Sequence, residues 1–61
     1  MTRPEARKIA KALLKAGFKE ATICESVKDG NIWVTALNRC WNVRTVNTVA
    51  EGQDLIQRER Y

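Results

Sequence analysis

The 61-residue sequence predicts a small α+β domain in the order α-β-β-β-α, a three-stranded antiparallel meander with two helices on one face. Three observations predict it. An apolar stripe at helical spacing lies near the start, Asp29-Gly30 separates two segments that alternate with period two, and a Thr-x-x-Glu pattern recurs near the end. We expect a single domain, 1–61, whose one thin core leaves no room for a deep cofactor pocket.

The first helix is predicted from both of its ends. Thr2 and Glu5 form a capping-box pattern, and Pro4 stands in the first turn, where its missing N–H costs nothing. The apolar residues that recur at helical spacing are Ala6, Ile9, Ala10, Leu13 and Leu14. Gly17 is placed to end the helix in the left-handed conformation, and Phe18 can fold back on the last turn.

A hairpin follows, because Asp29-Gly30 is typical of a two-residue turn. This turn predicts three pairs on the core side of the sheet: Val27 with Ile32, Glu25 with Val34, and Ile23 with Ala36. Glu25 would then point inward from an edge strand, which hinders association between sheet edges.

The third strand is predicted after a turn at Asn38-Arg39. This turn pairs Ala36 with Trp41 and Val34 with Val43, so that the apolar side chains stay on one face across all three strands. Trp33 would lie on the opposite, open face, and we expect it to be more exposed than Trp41.

The open face would carry small polar groups around Trp33 and Leu37, with Arg44 across from Trp33. Its predicted residues are Thr22, Cys24, Ser26, Trp33, Thr35, Leu37, Cys40, Asn42 and Arg44. A tryptophan flanked by arginine can stack on a base or anchor a protein interface. We therefore predict an interface there, formed by Trp33, Leu37, Arg39 and Arg44. The alternative is that Trp33 lies flat against its neighbours in ordinary sheet packing.

The last element has two interpretations. Thr48 and Glu51 repeat the capping pattern, and the residues at helical spacing are Val49, Gly52, Leu55 and Ile56. This favours a helix over 48–60, in which Gly52 would allow a close approach to the sheet. The alternative is a longer third strand with a turn at Glu51-Gly52.

The residues needed for most catalytic and metal sites are missing. The sequence contains no histidine, no glycine-rich phosphate loop and no CxxC pair. Cys24 and Cys40 would be separated by two strand spacings of about 4.8 Å, too far for a disulfide. We expect no metal, no cofactor and no enzymatic activity. Without a secretory or membrane-spanning segment, the cytoplasm is the expected location.

Positive charge is concentrated in the first helix. Of the net charge of +4, six cations and one anion lie between Arg3 and Lys19, whereas five cations and six anions follow. The six cations, predicted to bind nucleic acid, are Arg3, Arg7, Lys8, Lys11, Lys15 and Lys19. Four of them, Arg3, Arg7, Lys11 and Lys15, recur every four residues and share one helix face. Such a row can contact successive phosphates; the alternative is a solvated face.

The sequence therefore predicts a small non-catalytic module that binds the backbone of DNA or RNA. The alternative is a small phage- or plasmid-type inhibitor or adaptor that binds a protein through its open sheet face or a strand edge. An acidic protein partner or a homodimer is also compatible, and no membrane partner is expected. The element order is similar to that of double-stranded-RNA-binding domains. However, Val49-Ala50-Glu51-Gly52 replaces the lysine-rich start of their last helix, so no family is assigned.

Overall fold

The computed structural model describes residues 1–60 and has the predicted order of elements. The helices and strands are α1 (Arg3–Lys15), β1 (Glu20–Glu25), β2 (Ile32–Leu37), β3 (Val43–Val46) and α2 (Val49–Glu59). The antiparallel sheet has the order β1-β2-β3, with β2 in the centre. The last element is thus a helix, and the alternative of a prolonged third strand is wrong.

Helix α1 begins and ends as its sequence predicts. The Thr2 hydroxyl accepts a hydrogen bond from the Glu5 N–H, and the Glu5 carboxylate accepts one from the Thr2 N–H at 2.8 Å. At the other end Gly17 has a φ of 110°. The Phe18 N–H donates to the Leu13 carbonyl at 3.1 Å, as in a Schellman motif. Phe18 is buried, so the chain leaves α1 directly into the core.

The core lies between the two helices and one face of the sheet. Its buried apolar residues are Ala6, Ile9, Ala10, Leu13, Ala16, Phe18, Val34, Ala36 and Val46. The α1 stripe supplies about half of them, and the inward residues of β2 and β3 supply most of the rest. Leu14, predicted in the stripe, is about half exposed at its border.

The predicted two-residue turn between β1 and β2 is wrong. The Ser26 N–H donates to the Asn31 carbonyl, which leaves the four-residue loop 27–30. A type I′ turn needs a positive φ at both central residues, but only Gly30 has one, 71°. The Asp29 carboxylate instead accepts a hydrogen bond from the Asn31 N–H at 3.0 Å. Val27 is therefore fully exposed in the loop and is not a core residue.

The longer loop shifts the pairing of β1 and β2 by two residues. Glu25 pairs with Ile32 and Ile23 pairs with Val34, whereas the prediction had Glu25 opposite Val34. Because side chains alternate with period two, a shift of two leaves every residue on its predicted face.

The pairing of β2 with β3 differs from the prediction by three residues. The observed pairs are Val34 with Val46, Thr35 with Thr45, Ala36 with Arg44, and Leu37 with Val43. An odd shift exchanges the faces of a strand. Val43 is consequently 63% exposed on the open face, whereas Val46 is buried and Arg44 lies on the helix side.

The side chain of Asn38 explains this difference, because it builds a wider loop than the predicted Asn38-Arg39 turn. Its carbonyl oxygen accepts hydrogen bonds from the Cys40 and Asn42 N–H groups, both at 2.9 Å. Its amide nitrogen donates to the Glu59 carboxylate of α2 at 2.6 Å. The same carboxylate accepts from Arg44 Nε at 2.8 Å. Asn38 is 1% exposed and joins the loop to the end of α2.

The contacts of Glu59 predict an acid-sensitive fold. The Arg44 hydrogen bond, followed by that of Asn38, lowers the pKa of the Glu59 carboxyl below its ordinary value of 4.5. Because the unfolded chain binds this proton more tightly, the stabilisation is complete above about pH 4.5 and is lost as the pH falls through the folded pKa. We expect Glu59→Gln and Arg44→Gln each to reduce the difference in Tm between about pH 7 and about pH 3. Thermal melts at both pH values would contradict this if the variants retained the difference of the unmodified protein.

Candidate functional site

The outer face of α1 carries an exposed row of cations. Arg7, Lys11 and Lys15 recur at four-residue steps, about 6 Å apart along the axis, with Lys8 beside them, and all four are exposed. Within residues 1–60 none of these four forms a salt bridge. The buried stripe holds the opposite face of the helix against the core, so this face is directed to solvent. The sequence predicted this placement correctly.

Arg3, the first predicted member of the row, is paired with an anion. Its guanidinium contacts the Glu25 carboxylate of β1 at 2.8 Å, and both side chains remain about half exposed. Glu25 lies on the helix side of its edge strand, as predicted, but its side chain is exposed and bound to α1. The pair neutralises one end of the row, so the positive charge is centred on Arg7, Lys11 and Lys15.

Arg60, the residue that follows α2, adds a cation at the other end of the row. Lys15 and Arg60 line the same shallow groove of about 410 Å³, whose remaining lining residues are Ala12, Ala16 and Ile56. Sequence reasoning missed Arg60, because its proximity to Lys15 depends on how the two helices pack. The carboxyl-terminal ends of both helices thus contribute positive charge to one end of the molecule.

Trp41 is the most unexpected residue of the surface. Predicted to face the core from β3, it instead lies in the β2–β3 loop, is 67% exposed and has a φ of 65°. Lys19, which follows α1, places its ammonium 4.3 Å from the centroid of the Trp41 ring. The expectation that Trp33 is the more exposed tryptophan is therefore wrong, since Trp33 is half-buried.

The open face of the sheet consists of three cross-strand rows. The observed register aligns Leu37 with Val43 in one row, three threonines in the next, and Trp33 with Cys24 in the last. The threonines are Thr22, Thr35 and Thr45. The Cys24 thiol lies 3.6 Å from the Thr35 hydroxyl. Neither helix covers this face, as predicted, and Trp33 and Leu37 both lie on it.

Two of the predicted interface residues are not on the open face. Arg44, predicted across from Trp33, lies on the helix side and is bound to Glu59, so that part of the prediction is wrong. Arg39 is exposed in the β2–β3 loop, two residues from Trp41. Cys40 also lies in this loop and not on β3, and both cysteines are free thiols.

The part of the chain that the structure describes contains neither a metal-binding cluster nor a membrane-spanning helix. Residues 1–60 contain no group of three or more acidic, cysteine or histidine side chains that could hold a metal ion. None of the helices over the same residues has the length and apolar character that crossing a bilayer requires. Comparisons with models of protein families, with curated proteins and with solved structures found no match.

Proposed function

We propose that this protein is a non-catalytic module that binds the backbone of nucleic acid through the outer face of α1. The observation that carries the proposal is the row Arg7, Lys11 and Lys15, with Lys8 beside it, exposed and without a salt bridge within residues 1–60. Lysine and arginine contacts to phosphates supply most of the affinity of proteins that bind nucleic acid without sequence preference.

The energetics of α1 support this interpretation. Like charges four residues apart oppose helix formation by about 0.2–0.5 kcal/mol per pair, and the row contains two such pairs, Arg7–Lys11 and Lys11–Lys15. The capping box and the buried stripe stabilise α1 in spite of this repulsion. A line of phosphates would replace the repulsion by attraction, whereas a face that serves only solubility would not need charges of one sign.

The proposal predicts the salt dependence of binding. If three or four of the cations contact phosphates, log Kd plotted against log salt concentration should change with a slope of about 3 to 4 in magnitude. Lys11→Gln with Lys15→Gln should reduce this slope by up to about two. Fluorescence anisotropy with labelled duplex DNA and RNA at several salt concentrations would measure it.

A matched control distinguishes the effect of the α1 row on binding from the effect of net charge. Lys28→Gln with Arg58→Gln also removes two positive charges, but from the β1–β2 loop and from α2. We expect this control to leave the slope nearly unchanged, and circular dichroism to show both variants folded. Equal slopes for the two double variants, or no salt-sensitive binding to any DNA or RNA, would contradict the proposal.

A second candidate function is supported by the open sheet face. Val43 is 63% exposed beside Leu37, and apolar side chains grouped on an uncovered sheet are typical of protein interfaces. A small inhibitor or adaptor could bind a protein partner there, or a second copy of this chain. Val43→Lys would abolish that binding and leave the salt dependence of nucleic-acid binding in place, which distinguishes the two functions.

A further inference from the structure

The β2–β3 loop holds a bulky aromatic residue in a conformation that normally favours glycine or asparagine. The Asn38 N–H donates to the Asn42 carbonyl, and the Trp41 N–H donates back to the Asn38 carbonyl, both at 3.1 Å. These bonds enclose a three-residue loop whose last position is left-handed. Trp41 occupies that position with a φ of 65°.

Packing in the core does not account for this residue. Trp41 is 67% exposed and is not among the residues of the hydrophobic core. The ammonium of Lys19 lies over one face of its ring. Two thirds of the residue remains exposed, so ring surface that Lys19 does not cover is accessible to a ligand. The loop requires a left-handed conformation at position 41 but not a tryptophan, and residues held in such conformations cluster at binding sites.

The position of Trp41 connects it to the cations of α1. Lys19 follows Lys15 by four residues, and its N–H donates to the Leu37 carbonyl at 2.8 Å. This bond fixes the segment that follows α1 beside the end of β2, where the loop with Trp41 begins. Lys19 and the exposed ring of Trp41 therefore lie near the carboxyl-terminal end of α1, the end at which Lys15 stands.

We propose that Trp41 is a stacking site for an unpaired nucleobase, so that the preferred ligand is single-stranded nucleic acid or a strand with a flipped-out base. This inference rests on the proposed function, because the α1 cations would hold the phosphates of the same strand. Lys19 occupies one face of the indole ring and the base stacks on the other. Tryptophan accepts any of the four bases in this way, since each has a π-face.

The test compares two substitutions at one position. Asparagine tolerates the left-handed conformation but has no ring, whereas tyrosine keeps a ring. Stacking contributes about 1–3 kcal/mol per base, so Trp41→Asn should weaken binding to single-stranded oligo(dT) and oligo(rU) by roughly 5- to 150-fold. Binding to a duplex without unpaired bases should change by less than about twofold, and Trp41→Tyr should retain most of the single-strand affinity.

Fluorescence gives a direct readout of stacking. In a Trp33→Phe background Trp41 is the remaining tryptophan, and its emission should be quenched when oligo(dT) binds. Equal single-strand affinity for Trp41→Asn and the unmodified protein, or unchanged emission on saturation, would overturn the inference. In that case the Lys11 and Lys15 variant would still show a reduced salt dependence of binding, and the proposed function would remain. If no oligonucleotide binds at all, the proposed function and this inference both fail.

Discussion

Replacing Asn38 by alanine is expected to lower the free energy of unfolding by about 2–4 kcal/mol, because three hydrogen bonds to a buried side chain are lost together. Two of them hold the Cys40 and Asn42 N–H groups, and the third binds the Glu59 carboxylate at 2.6 Å. A hydrogen bond to a charged group is worth more than one between neutral groups. Urea denaturation followed by circular dichroism would measure the loss.

Asn42 offers a matched control in the same loop. It is exposed, and its substitution by alanine should change stability by no more than about 0.5 kcal/mol. Asn38→Asp keeps the acceptor for both N–H groups but sets a second carboxylate beside Glu59, so this variant should recover stability as the pH is lowered. Equal stability of the Asn38→Ala and Asn42→Ala variants would show that the Glu59 contact does not hold the loop.

The order of elements was predictable because three helix ends, both ends of α1 and the start of α2, carry a local signal. Thr2 and Glu5 satisfy each other's backbone N–H groups, and Gly17 adopts the positive φ that stops α1. For α2, the Thr48 hydroxyl accepts from the Glu51 N–H as expected, although the Glu51 carboxylate accepts from the Asn47 N–H. Such signals involve residues within about four positions of one another, which a sequence shows directly.

The strand register was not predictable in the same way. Asn38 is an ordinary turn residue in the sequence, yet its side chain is buried and donates to a carboxylate 21 positions later. This contact and the two bonds that the Asn38 carbonyl oxygen accepts hold the wider loop, in which the pairing of β3 is moved by an odd number and Val43 lies on the open face. Long-range satisfaction of a buried polar group therefore decided between registers that hydrophobic alternation alone did not separate.

The residues of the candidate site differ in the same way: some positions follow from local spacing, and others depend on contacts between elements. Helical spacing alone placed Arg7, Lys11 and Lys15 on one exposed face, because the opposite face carries the apolar stripe. The Arg3–Glu25 pair joins two elements, and the exposure of Trp41 depends on the register of β3. A positive φ at a tryptophan has no sequence signal, so the proposal of a stacking site at Trp41 depends on the structure.

Gly52 is expected to be intolerant of even a methyl group, although it lies in a helix. A Cβ there would stand 2.8 and 2.9 Å from two Ile9 carbons and 3.2 Å from Val46 Cγ1. Overpacking costs about 1–3 kcal/mol, and alanine returns up to about 1 kcal/mol of helix propensity. We therefore expect Gly52→Ala to destabilise the protein by about 1–2 kcal/mol in urea denaturation.

A double-mutant cycle with Ile9 tests whether contact with Ile9 causes the destabilisation by Gly52→Ala. Ile9→Ala removes both of the close carbons at a cost of about 2–5 kcal/mol, and Gly52→Ala in that background should become neutral or stabilising. Ala50 is exposed in the same helix, so its substitution reports helix propensity alone. Ala50→Gly should lower the free energy of unfolding by about 1 kcal/mol. If Gly52→Ala stabilised the protein with Ile9 in place, α2 would be free to move away from α1 and β3.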